Sequence, residues 1–167
     1  MARSRKRNSN QEVRRFVKLD KNLTQSIAYK KLSGSESKIF HILLSQYNGS
    51  NNGKLAIPYN QAGEYELSRQ TLSNSLNLLE AKGFIQCTRR GRFGLISLYA
   101  VTCFPVDKCF NQCGMKAHSA KATDSASNEW GTFDKWLKIK ITENGGKTGK
   151  PFFQSLNDEL LQGFLKD

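Results

Sequence analysis

Gln70, Ser73, Asn74 and Asn77 fall at i, i+3, i+4 and i+7, the spacing that gathers side chains on one face of an α-helix. The face they define is polar, uncharged and rich in amides. A face that only meets water more often carries Lys and Glu. Amides and small hydroxyls offer the donors and acceptors that base edges in a DNA major groove require, and Asn or Gln bonds adenine through N6 and N7, so A·T-containing sites are expected. Arg69 stands near the start of the same helix, where it can take a phosphate or a guanine, and the helix N-terminus itself favours a phosphate. Ser68 and Thr71 lie at that end too, and Thr71 can cap or pack there as readily as touch a duplex. Arg89, Arg90 and Arg92 surround Gly91 a little further on, a pattern suited to following a phosphate backbone or entering a narrow minor groove. The plain alternative for them is a solvated hairpin tip. Arg3, Arg5, Lys6 and Arg7 form a further basic cluster, suited to phosphates or a minor groove, or else a solubilising tail.

Other chemistries find less support. Cys103, Cys109, Cys113 and His118 bring zinc-ligand types within a short span. Their spacing lacks the paired C-x2-C knuckles of structural zinc sites, so no metal is expected and free thiols are. GGKTGK at 145–150 has the composition of a phosphate loop but not the G-x-x-x-x-G-K-[ST] order. With Pro151 directly after Lys150, no helix N-terminus with its amides arranged for phosphate is expected to follow, and no nucleotide site is expected. No nucleophile–base pair, H-E-x-x-H or carboxylate cluster stands out, His41 and His118 are far apart, and His41 lies in an apolar run as a core-edge residue. Neither enzymatic activity, a cofactor nor a small-molecule ligand is expected.

The net charge of +12 over 167 residues is uneven. Residues 1–31 hold ten Lys/Arg against two acids, 32–102 seven against four, and 103–167 nine against eight. A basic arm beside a compact domain fits a polyanionic partner, nucleic acid before membrane surface. No segment has the apolar length of a membrane span. No apolar stretch follows the basic N-terminus as in a secretory signal, and a cytoplasmic location is expected. The composition, 38% hydrophobic, suffices for one core.

The elements that position the amide face follow from the pattern around it. Residues 1–15 are expected to be a disordered basic arm. The spacing predicts a helix over 23–32, a break at Ser33-Gly34, and a second, buried helix over 35–47 capped by Ser35 without a full capping box. NGSNNG at 48–53 is a loop. A short extended piece at 55–57 precedes a short helix near 59–65, which Pro58 can open. Ser68 then caps the central helix, whose Leu67, Leu72, Leu76 and Leu79 make a buried stripe and which Gly83 ends as C′ residue. Strands over 84–89 and 95–102 flank a tip at 90–94. Residues 105–107 close the hairpin, and 111–129 are small and polar, lying back on the domain. Trp130, Phe133, Trp136 and Leu137 provide docking groups, and the basic stretch 138–151 is a flexible loop. A final amphipathic helix near 155–165 packs on residues 16–47 or makes a homodimer contact. The expected fold is mainly α with a small β-hairpin: arm 1–15, DNA-binding domain 16–104, and a loosely structured extension 105–167.

Within this order, LSRQTLSNSLNLLEAKGFI resembles the winged helix-turn-helix pattern of GntR- and MarR-type regulators, matching at Leu67, Ser68, Arg69, Thr71, Leu72, Leu76, Leu79, Glu80, Gly83 and Ile85. A wider stretch over most of residues 16–130, including LSGSESKIF, YNGSNNGKLAIP and the run after Leu98, is similar to small prophage- and plasmid-borne winged-helix proteins of bacteria. The resemblance implies a winged helix over 55–102 and a sequence-specific double-stranded-DNA-binding protein, a transcriptional regulator of a mobile element or phage. A replication-initiation or maintenance protein is the nearest alternative. A winged-helix protein-interaction module and an RNA binder are alternatives of other classes. The sequence departs from the pattern at Glu66, where the tight turn usually has Gly, and at Gln61, where Leu is usual. A less tight turn, or one shifted by a residue, is therefore expected.

Overall fold

A computed structural model describes residues 16–92 and 94–164. They are mainly helical with a small two-stranded antiparallel sheet, an α+β arrangement. In chain order the helices are α1 (Lys21–Gln25), α2 (Ile27–Lys30), α3 (Gly34–Gln46), a 3-10 helix (Tyr59–Tyr65), α4 (Arg69–Ala81), α5 (Trp130–Glu143) and α6 (Lys150–Phe164). Strands β1 (Ile85–Arg89) and β2 (Leu98–Val101) lie between α4 and α5.

The first predicted helix is in fact two. Ser26 sits extended between α1 and α2, its hydroxyl donating to the Leu23 carbonyl at 2.7 Å and accepting the Tyr29 N–H at 3.0 Å. A serine that bonds locally to backbone at both ends competes with a continuous helix. The cap of α3 also differs from expectation. Ser33, not Ser35, is the N-cap, and Glu36 returns its carboxylate to the Ser33 N–H at 2.7 Å, completing a capping box. The other oxygen of Glu36 meets the Lys82 ammonium at 2.6 Å, with both side chains buried. One carboxylate thus starts α3 and ties it to the end of α4.

Leu23, Ile39, Phe40, Leu43, Leu72, Leu76, Leu79, Phe84, Ile85 and Val101 belong to one core between α3, α4 and the hairpin. The strands pair with Ile85 opposite Val101 and Cys87 opposite Tyr99, and the register slips between Cys87 and Arg89. The slip is a bulge at Thr88, whose hydroxyl turns inward to the Gly53 carbonyl at 2.7 Å. Leu55 bridges the far edge of β2 by reciprocal bonds with Tyr99. The return strand is shorter than the expected 95–102, and all four of its residues are buried. Its second face lies under a small cluster of Leu98, Cys109 and Ala117.

Residues beyond the hairpin are more ordered than the sequence suggests. Asn52, fully buried, accepts the Val101 N–H and donates to the carbonyls of Val101, Phe104 and Pro105. Its own N–H reaches the Asp107 carboxylate at 2.8 Å. Residues 105–128 lie back on the strands, with Thr123 bonded to Val106 and Asn128 to Thr102. Where a docking segment and a loop were expected, Trp130–Glu143 is a helix. It packs on α2, with Asp134 accepting the Ala28 N–H at 2.9 Å and pairing with Lys138 at 2.8 Å. The carboxylate thereby serves as a remote cap for a one-turn helix that lacks acids of its own. Burial pushes the Asp134 carboxyl up, but Lys138 and the N–H groups of Ala28 and Ile27 outweigh it and hold it below its ordinary value.

Helix α6 begins at Lys150 with Pro151 in its first turn. A proline is tolerated there because the N–H it lacks has no intrahelical partner, so Pro151 does not exclude a helix start. The helix packs on α4, and Lys31 lies over the Phe153 ring at 4.4 Å, so its apolar side does not rest on residues 16–47 alone. No helix among the described residues is long and apolar enough to cross a membrane.

Candidate nucleic-acid interface

Helix α4 is fixed at both ends. At its start, Ser68 Oγ accepts the Thr71 N–H at 2.9 Å and lies 2.8 Å from Thr71 Oγ1. Ser68 is thus the N-cap, and the Thr71 hydroxyl belongs to the cap. At its end, Gly83 takes φ +72°, its N–H donates to the Glu80 carbonyl, and the Phe84 N–H donates to Leu79. This 5→2 and 6→1 pair is a Schellman motif. A Cβ on Gly83 would come within 2.7 Å of the Glu129 carbonyl carbon, so the glycine also admits the approach to α5.

The turn into α4 is tight despite its glutamate. Glu66 adopts φ 56°, ψ 35°, the left-handed conformation, with Glu66 N–H bonded to Gly63 and Leu67 N–H to Ala62. No shift or loosening of the turn is needed. The Glu66 carboxylate faces Lys38 at 3.7 Å, with 90% of its side chain exposed.

With Leu72, Ser75, Leu76 and Leu79 buried, Arg69, Gln70 and Asn74 are exposed and Ser73 and Asn77 half-buried. Gln70 Nε2 donates to Asn74 Oδ1 at 2.8 Å, which couples the two amides on one surface. The Tyr59 hydroxyl reaches Ser73 Oγ at 3.5 Å, and the residue is 49% exposed. Tyr59 joins this surface without having been singled out in the sequence. Its signal in the sequence is weak, since the short helix it opens also carries Ala62 at helical spacing and a second tyrosine, Tyr65.

The hairpin is locked to α4 through Glu80. Glu80 Oε1 accepts the Cys87 N–H at 3.2 Å and Oε2 faces Arg90 Nη2 at 3.3 Å. Burial pushes the Glu80 carboxyl above its ordinary value, against the opposing pull of Arg90 and the Cys87 N–H. The three hairpin arginines therefore differ. Arg89 donates to the carbonyls of Ala117 at 2.9 Å and Ile96 at 3.1 Å, bracing the hairpin from inside. Arg90 holds the α4 carboxylate, and Arg92 is exposed. Arg3, Arg5, Lys6 and Arg7 lie outside the described residues.

The cysteines are all free. Cys103, Cys109, Cys113 and His118 do not converge, and the described residues contain no group of three or more His, Cys, Asp or Glu placed to hold a metal ion. Burial pushes the Cys103 thiol up to about 12. Cys113 is exposed, while His118 is buried with Nε2 against the Asp107 carbonyl at 3.2 Å. His41 is an exposed residue of α3, held by the Tyr29 hydroxyl and the Ser37 carbonyl. Comparison of the chain with protein-family models, with curated proteins and with solved structures finds no match.

Proposed function

We propose that this chain is a sequence-specific double-stranded-DNA-binding protein of winged helix-turn-helix type, with α4 in the major groove and the β1–β2 hairpin as the wing. The observation that carries the proposal is the amide surface of Gln70 and Asn74, left open on a helix that is capped at both ends and packed on its other sides. The Gln70–Asn74 bond uses one amide hydrogen and one amide oxygen. It leaves a Gln70 oxygen and an Asn74 N–H for the base, a match to the N6–H donor and N7 acceptor of adenine. Support also comes from the order of elements: buried helix, bridging segment at Leu55, short helix, tight turn, α4 and hairpin. The Cys87 N–H bond to Glu80, with Arg90 beside the other carboxylate oxygen, ties the hairpin to the helix, as two elements reading neighbouring grooves require.

Arg69 and Arg92, with the arm at Arg3, Arg5, Lys6 and Arg7, supply affinity through phosphates, and α4 supplies specificity. The resemblance in α4 favours regulation of transcription, and the wider resemblance favours a bacterial mobile element or phage as its setting, with double-stranded DNA as partner. Titration against labelled duplex at increasing salt tests the proposal: log affinity falls linearly with log salt, by about 0.9 per phosphate neutralised. Arg92→Ala weakens all duplexes alike and flattens the slope. Binding indifferent to salt, or absent in physiological salt, contradicts the proposal. Footprinting assigns the role, since a promoter operator marks a regulator and tandem repeats beside an origin mark a replication protein.

A further inference from the structure

The end of the hairpin combines features that the reading of α4 leaves unused. Leu95 and Ile96 stand in solvent, 60% and 43% exposed, and add nothing to either core cluster. They are held out on a braced mount. The Leu95 N–H donates to the Arg92 carbonyl at 2.9 Å, and the Gly91 N–H to Ser97 Oγ at 3.0 Å. Arg89 clamps the Ile96 carbonyl at 3.1 Å with one amino group and Ala117 with the other. Gly91 is required for this closeness, because a Cβ there would stand 2.5 Å from the Leu95 carbonyl oxygen. Arg92, exposed, precedes the apolar pair as a cation, and Arg90, paired with Glu80, keeps 56% of its side chain exposed beside it.

A surface of this kind fits a partner that is anionic at its rim and apolar within. The minor groove meets both conditions, with phosphates on its walls and a stack of bases on its floor. Aliphatic side chains inserted there part base steps and kink the duplex. We infer that Leu95 and Ile96 enter the minor groove beside the α4 site, wedge a base step open and bend the DNA. The inference rests on the proposed DNA-binding function and adds a deformation to it. Preference at the wedged step then arises without hydrogen bonds to base edges, because pyrimidine–purine steps yield most easily.

The test uses the full chain and a duplex that it enriches from a random library, labelled at both ends to report bending and carrying 2-aminopurine to report unstacking. The wild-type complex is expected to be kinked by roughly 20–90°. The double variant Leu95→Ser/Ile96→Ser keeps the motif read by α4, binds about tenfold more weakly, and leaves the duplex close to its free shape. The conservative Leu95→Met/Ile96→Val pair restores the bend. Because the side chains are exposed, thermal melting of both variants stays near wild type, and a collapsed melt in the double variant shifts the test to the conservative pair and to Leu95→Ser alone. An enriched duplex that stays straight, or one bent equally by the double variant, overturns the inference while the proposed function stands. Enrichment of no duplex overturns both. Loss in the double variant of binding to phosphatidylserine vesicles, or of self-association, with the bend unchanged, also overturns it by giving the tip another occupant.

Discussion

Glu66 holds a left-handed backbone conformation that its side chain does little to favour. For a residue with a Cβ this costs roughly 1–2 kcal/mol, and its exposed contact with Lys38 at 3.7 Å returns little. Glycine removes the steric cost, although its greater freedom in the unfolded chain offsets part of the gain. Glu66→Gly is therefore predicted to stabilise the protein by up to about 1 kcal/mol, read as a raised melting temperature. A lowered one contradicts this account of the turn. The amide face of α4 was legible because its spacing is local. The division of labour among Arg89, Arg90 and Arg92 was not, since the groups that engage them belong to Ala117, Ile96 and Glu80.

At the scale of elements, the seating of α4 depends on its C-terminal end. The buried Lys82–Glu36 pair joins the cap of α4 to the capping box of α3. Removing one partner leaves a charge without compensation in the core. Lys82→Ala is predicted to cost about 3–5 kcal/mol, measured by denaturant unfolding, with Lys82→Ala/Glu36→Leu recovering part of the loss. A single-variant loss below about 1 kcal/mol contradicts a buried, structural pair. The helix stop at Gly83 and the cap at Ser68 were readable from residue type. The start of α3 was misplaced because Ser33 and Ser35 are equally good caps in isolation, and Glu36 decides between them. Helix α5 was missed for a related reason. Its first turn lacks a side-chain cap, and its support comes from Trp130 and Phe133 packing on the core and Asp134 meeting α2.

For the whole molecule, residues far apart in sequence close the structure. Asn52 joins the 48–53 loop to the end of the hairpin, and Asp134 joins α5 to α2. Neither role has a local signature, so the sequence showed only a loop asparagine and one acid among scattered acids. The lowered Asp134 value has a pH consequence. A carboxyl held below its ordinary value of 3.8 contributes stability that is present above that value and lost as pH falls through the folded-state value. The stability gap between wild type and Asp134→Asn should be constant at neutral pH and narrow as pH drops below the ordinary value, measured by urea unfolding across pH. A gap that widens with acid contradicts the assignment.

The amide surface, the locked hairpin and the basic arm serve one central claim, that α4 reads base edges in duplex DNA. Parallel selection from a random duplex library with the wild-type chain and with Asn74→Ala, whose side chain is exposed, tests it most directly. The account predicts a defined, A·T-containing motif for the wild type and the same motif with preference relaxed at one position for Asn74→Ala. No motif, or an identical motif from both proteins, would contradict it.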